Sequence, residues 1–148
     1  MVATQSLLSD DVRSFLSPTP PRYATIATIN PDGSPHQTVI WFELRGDMLV
    51  VNSRTGRRWP ANLRRDPRAT VCVYDRADGV AIDCEVTDEI GGDEALATIS
   101  AMAYRYCDAQ EAEELIEEWR RQQRLTFVLR PVRVHTAGDP QGGSHAPA

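Results

Sequence analysis

The sequence predicts an α+β fold, an antiparallel barrel of about six strands with helices at its periphery. Three observations carry that expectation. Short runs rich in β-branched and aromatic residues recur along the chain, over 22–29, 36–44, 69–74 and 80–86. The connections between them, at 30–34, 45–47 and 75–79, are short and hold the glycine, proline and aspartate of tight turns. The long helical patterns come late, just before a final strand, and do not alternate with strands as a doubly wound sheet requires.

The elements follow in order. Ser9-Asp10-Asp11 opens a helix with acids at its first turn, and Leu8, Val12, Phe15 and Leu16 share one face. Pro18, Pro20 and Pro21 stop it. After the strand over 22–29, Asn30-Pro31-Asp32-Gly33-Ser34 turns the chain, proline presetting φ and glycine taking the positive φ. Over 36–44, Thr38, Ile40, Phe42 and Leu44 alternate with Gln37, Val39, Trp41 and Glu43. Large apolar groups on both faces predict a central strand of a closed sheet. Arg45-Gly46-Asp47 turns into a return strand over 48–51. Pro60 suits the first turn of a helix running to about Arg65, which Asp66-Pro67 ends.

Strands over 69–74 and 80–86 pair through a turn at 75–79. Gly91-Gly92-Asp93 opens a helix with Leu96, Ile99, Met102, Ala103 and Tyr106 on one side. A second helix, over about 110–123, carries Leu115, Ile116 and Trp119 on a Glu-rich background. The last strand covers 125–134, where Pro131 marks an edge or a bulge. One domain over 1–137 is expected, with 138–148 a disordered tail.

Composition narrows the function. A net charge of −5 argues against nucleic acid as the main partner, because duplex binding is dominated by phosphate neutralisation. No apolar run approaches the roughly 20 residues that span a bilayer, so no membrane partner is expected. Met1-Val2-Ala3-Thr4-Gln5 lacks a basic start and an apolar stretch, which points away from a signal peptide and toward a cytoplasmic protein. Cys72, Cys84 and Cys107 are far apart, and His36, His135 and His145 have no metal-ligand spacing, so no metal is expected. Cys72 and Cys84 read as small buried strand residues. All 16 basic residues are arginine. Without lysine there is no Schiff-base chemistry, and a phosphate contact must use guanidinium forks or backbone amides.

Six of those arginines fall between positions 52 and 68, against an acidic background. One reading is a solvated surface. The stronger one is an anion site: Thr55-Gly56 allows a sharp backbone turn, Arg57 and Arg58 offer forked donors, and the start of the Pro60 helix adds free amides. Arg64 and Arg65, at the helix's far end, serve its dipole or pair with surface acids. Trp41 and Trp59 either join the core or flank a planar ring, with a dimer interface a further alternative for Trp59, whereas Trp119 reads as packing. Asp83 and Glu85 alternate about Cys84 as solvent-facing residues, and nothing marks a Ser-His-Asp triad. A phosphate anchor without a nucleophile suits a protein whose cofactor does the chemistry.

The turn Asp32-Gly33-Ser34-Pro35-His36, the run Val39-Ile40-Trp41-Phe42, and above all Asn62-Leu63-Arg64-Arg65-Asp66-Pro67-Arg68 carry a family likeness. Over 7–137 the chain resembles the pyridoxamine-phosphate-oxidase-like split β-barrel superfamily, and within it the F420-dependent flavin/deazaflavin oxidoreductases of the B type. The resemblance implies a six-stranded split barrel that forms a homodimer, with cofactor sites at the subunit interface. It implies coenzyme F420, or alternatively FMN, as cofactor. By position, Asn52 or Ser53, Arg57 and Asn62 match residues around the cofactor phosphate. Thr38, Val39, Ile40 and Trp41 match the strand that lines the ring, and Thr28 and Ala81 border the same pocket. Relatives often place a lysine where this chain has Trp59, and Arg58 is expected to supply that charge. The implied function is hydride transfer from reduced F420 to a small unsaturated hydrophobic substrate, with no side chain marked as proton donor. The alternatives are an FMN-dependent oxidoreductase and a non-catalytic carrier of a flavin, deazaflavin or tetrapyrrole.

Overall fold

The computed structural model describes residues 6–138, so the expected tail past that point and the first five residues lie outside the described residues. Among the described residues, four helices and seven strands follow one another: α1 (Asp10–Leu16), β1 (Ala24–Ile29), β2 (Pro35–Ile40), β3 (Glu43–Arg45), β4 (Met48–Arg54), α2 (Arg58–Arg65), β5 (Arg68–Asp75), β6 (Asp78–Ile90), α3 (Gly92–Tyr106), α4 (Ala109–Trp119) and β7 (Arg124–Ala137). All strand pairs are antiparallel, in the order β2-β1-β5-β6-β7-β4-β3. This is the predicted α+β class, with one strand more than expected.

The extra strand corrects the reading of 36–44 as one central strand. It is two strands, β2 and β3, which form the opposite edges of the sheet. Only Trp41 and Phe42 separate them. Three peptide steps reach about 11 Å at most, so the sheet must curl until its edges approach, which makes a split barrel. The Phe42 backbone at the split belongs to no ladder, and the Tyr106 hydroxyl serves it. That oxygen accepts from the Phe42 N–H at 3.3 Å, donates to the Arg22 carbonyl at 2.6 Å and lies 3.2 Å from the Phe42 carbonyl.

Curvature is built into the longest pair, β6 with β7. Its register shifts between Asp83 and Cys84 and again between Val86 and Asp88. Pro131 lies opposite Cys84 at the first shift, which settles its alternatives in favour of a bulge. Ile26, Leu49, Val51, Val71, Val73, Val80, Ile82, Phe127 and Leu129 fill the barrel. Leu8, Val12, Phe15 and Leu16 of the first helical segment join them, and Trp59 and Leu63 of α2 do the same. Outside the barrel, Val50 of β4 packs with Ile99 and Met102 of α3, against which α4 lies. Cys84 is buried, but Cys72 is only half-buried, because its side of β5 faces away from the core.

Among the described residues, one buried polar side-chain atom lacks a partner. Ser53 is fully buried and its hydroxyl makes no hydrogen bond. An orphaned buried hydroxyl costs about 1–3 kcal/mol, so Ser53→Ala is expected to raise the urea midpoint with the m-value unchanged. A lowered midpoint would mean that the hydroxyl finds a partner in solution.

Candidate cofactor site

Strand alternation on β4 decides which neighbouring side chains can meet a ligand. Leu49, Val51 and Ser53 point one way, into the barrel, whereas Val50, Asn52 and Arg54 point toward α3. Asn52 is fixed there by its amide, which donates to the Ala95 carbonyl at 2.9 Å and to Thr126 Oγ1 at 2.8 Å. Its Oδ1 accepts from Arg124 Nε at 3.0 Å and Nη2 at 2.8 Å. Arg124 opens β7, lies cross-strand from Arg54, and is 7 % exposed. Its Nη1 donates to Gln122 Oε1 at 2.8 Å, and its guanidinium lies 5.2 Å from the centre of the Trp119 ring.

These groups form one wall of a cavity of about 250 Å³. Tyr23, Val39, Ile40, Trp41, Asn52, Arg57, Trp59, Ile99, Trp119 and Arg124 line it. Trp41 supplies a rigid aromatic face, stacked on Tyr106 with ring centres 4.9 Å apart and planes within 4°. Trp119 meets it edge-on at 6.1 Å. Two arginines face the hollow, and no carboxylate, imidazole or thiol lines it. Burial, then the like charges of Arg57 and Arg54, pull the Arg124 guanidinium down to about 10. It remains a cation at neutral pH.

Larger hollows elsewhere lack this combination. One of about 540 Å³ beside Pro18–Pro21 has its Arg22 paired with Asp75, one of about 460 Å³ at β1, β5 and β6 includes Asp83 and Glu85, and one of about 420 Å³, which Arg124 also lines, has no aromatic wall and includes Asp93.

Of the residues expected to hold a cofactor, Val39, Ile40, Trp41, Asn52, Arg57 and Trp59 come together here. Thr28, Thr38, Ser53, Arg58, Asn62 and Ala81 do not line the cavity. Ser53 faces the core by strand alternation. Arg58 is exposed on α2 and helps hold the Asp32 carboxyl below its ordinary range, after that group's hydrogen bonds to Ser34. Asn62 is 1 % exposed, and its amide is spent on Thr28 Oγ1 at 3.0 Å and Asn30 Oδ1 at 3.1 Å. Trp59 combines two of the roles left open for it: it lines the hollow, yet is 3 % exposed and packs on Phe127 with centres 5.8 Å apart. Arg64 pairs with Glu89, whereas Arg65 donates to the Ile29 carbonyl and to Asn62 Oδ1 and so ties α2 to β1.

Sequence reading missed Tyr23, Ile99, Trp119 and Arg124. Trp119 sits at helical packing spacing, and an arginine before an apolar strand has no local signature. Only the pairing of β4 with β7 brings Arg124 to Asn52.

Residues 8–137 match the family described as pyridoxamine 5'-phosphate oxidase. No curated protein matches the chain. Among solved structures, an F420 reductase is 24% identical, with 78% of this chain and 90% of that chain covered and a TM-score of 0.63. The heme storage protein HutZ from Vibrio cholerae is 18% identical, with 88% and 95% covered and a TM-score of 0.66. A pyridoxamine 5'-phosphate oxidase-related, FMN binding protein from Nostoc punctiforme is 19% identical, with 82% and 77% covered and a TM-score of 0.58. At these identities the likeness is one of fold, and three different ligands stand beside it.

Proposed function

Given that the chain belongs to the pyridoxamine 5'-phosphate oxidase family, we propose that its cavity holds a planar redox cofactor bearing a phosphate. The first choice is coenzyme F420, with FMN the alternative. The protein then acts as an oxidoreductase on a small unsaturated hydrophobic substrate. One observation carries the reading: a stacked aromatic wall faces two arginines that have no acid among the lining residues.

The donor set fits such a group. Indole and phenol faces suit a conjugated ring, and guanidinium forks suit a phosphate. It fits heme less well, because among the lining residues only the Tyr23 phenol resembles an axial ligand. When bound, the cofactor supplies the hydride chemistry. This chain's residues would hold and orient it: Trp41 sets the ring plane, Asn52 fixes Arg124, and Arg57 meets the phosphate. Val39, Ile40 and Ile99 keep the face dry, which favours a hydride path over exchange with water. No lining carboxylate or imidazole stands ready to move a proton, so solvent is the donor in this scheme.

The cavity is smaller than the roughly 300–1,000 Å³ of sites that enclose a drug-sized ligand. A second copy completing the site accounts for the difference. β2 leaves one edge without a strand partner among the described residues, and Val39 on it is 66 % exposed. Beside it, Thr25, Cys72 and Ala81 form one cross-strand row of small, half-buried side chains. A homodimer across this face brings Ala81 toward the cofactor site from the partner's side, whereas Thr38 shares the barrel-facing side of β2 with Ile40 and stays out of it. Light scattering is expected to give a dimer, and Ala81→Arg a monomer; a dimer that survives the substitution moves the interface elsewhere. Among the described residues no helix is long and apolar enough to cross a membrane.

The deciding experiment is a fluorescence titration with F420 and, separately, with FMN, followed by turnover of the reduced cofactor against enones and quinones. Saturable F420 binding that weakens about tenfold or more in Arg57→Ala is expected, the loss of one charge-assisted contact. FMN retained through purification would displace F420. Binding without oxidation of the reduced cofactor would make the protein a carrier.

A further inference from the structure

We propose that Arg124 is the principal binding cation of this cavity and that, with Arg57, it forms a two-arginine site for a phosphate-type oxyanion. The inference rests on the cavity being a ligand site, and it moves the anchor from the arginine-rich loop to the start of β7.

Buried charges are normally paired with opposite ones. Arg124 is 7 % exposed, yet its three hydrogen bonds all go to neutral amide oxygens, two to Asn52 Oδ1 and one to Gln122 Oε1. A guanidinium has five N–H donors. Three are spent: the Nε–H, one on Nη2 and one on Nη1. One donor therefore remains on each terminal nitrogen and is available to an oxyanion.

The surroundings sharpen the point. The charges closest in effect, Arg57 and Arg54, have the same sign, and Glu118 has the weakest influence of those acting on Arg124. A fold that gathers these cations and buries one with no acid hydrogen-bonded to it leaves a charge deficit at the hollow. An anionic ligand group removes it.

The fork is also held in place before any ligand arrives. Asn52 clamps one edge and is itself tied to Ala95 and Thr126, while Trp119 covers a face. Little side-chain entropy is then left to lose on binding. Arg57, exposed at the same cavity, supplies the second charge. Trp59 lines the cavity without a charge and packs inward on Phe127. Arg124 brings a cation to that hollow from another strand.

The test uses the full chain, inorganic phosphate and a flavin pair that differs only in its phosphate. At constant ionic strength, phosphate is expected to raise the melting temperature of the wild type and leave Arg124→Gln unmoved. FMN is expected to bind on the order of tenfold or more tighter than riboflavin, a ratio that falls toward one in Arg124→Gln. Arg124→Lys keeps the charge without the fork and is expected to fall between, which covers the case in which the glutamine variant does not fold. A residue that merely braces β4 against β7 would lower stability without changing the FMN-to-riboflavin ratio. That ratio surviving intact in either folded variant overturns the proposal. If neither flavin nor F420 binds, while phosphate still protects through Arg124, the anion site stands and the cofactor reading falls. If flavins bind with no phosphate preference, the cofactor reading stands and the anion site falls.

Discussion

Asn62→Ala is expected to lower stability by about 2–4 kcal/mol and the melting temperature on the order of 10 °C, a large loss for a polar side chain. The Asn62 side chain is buried between α2 and β1 and makes three contacts that an alanine cannot. It donates to Thr28 Oγ1 and Asn30 Oδ1, and it accepts from Arg65 Nη2 at 3.2 Å. Removing it strands the Thr28 hydroxyl, which is only 2 % exposed. It also removes the acceptor that helps Arg65 hold the end of β1. A chemical denaturation curve reads the effect directly, and flavin or F420 affinity per folded molecule should change little. Unchanged stability with lost cofactor affinity would restore Asn62 as a phosphate ligand and show that α2 turns in solution.

Trp41→Ala is the second large effect, and it falls on binding. The side chain sits at the split between β2 and β3, stacked on Tyr106 and edge-on to Trp119, and it lines the cavity. Its removal takes away an aromatic wall worth about 2–3 kcal/mol in contact area and ring geometry, which is roughly 30- to 150-fold in Kd. Trp41→Phe should recover most of that. Quenching of flavin or F420 fluorescence during titration measures both. An unaltered Kd in Trp41→Ala would place the ring against a different wall, and the hydride face with it.

The contrast between these residues shows what was legible. Asn62 belongs to the most recognisable string in the sequence, and its type and position were read correctly, but its use could not be. An asparagine at that place can meet a phosphate or a neighbouring strand. Only the approach of α2 to β1 decides that its amide is spent on Thr28. Asn52 and Ser53 were an unresolved pair for a similar reason. Alternation guarantees that they face opposite ways, and the sheet's curl determines which way is the cavity. Arg58, favoured for its fork, lies on the exposed side of α2. Arg124, 66 residues further on, was passed over and reaches the hollow through the pairing of β4 with β7.

The arginine concentration between 52 and 68 does not act as one group in the fold. Arg57 does line the cavity, but Arg64 and Arg68 are paired with Glu89 and Asp66 and have no charge to spare. The Arg68 guanidinium holds the Asp66 carboxyl down to about 2, and this pair sits where α2 gives way to β5. Clustering in sequence therefore overstates the local positive charge that a ligand would meet.

The sequence by itself determined the kinds of element, their order and most of their boundaries, because hydrophobic period, caps and turn chemistry act within a few residues. It also determined that any cation at the site is an arginine. The tertiary structure alone decided that 36–44 breaks in two at Trp41 and Phe42. A chain too short to cross between sheet edges in any other way forces the barrel to close there. It alone put Arg124 beside Asn52 with no acid hydrogen-bonded to it. Which charges go unpaired is a property of everything around them, and no local stretch of residues records it.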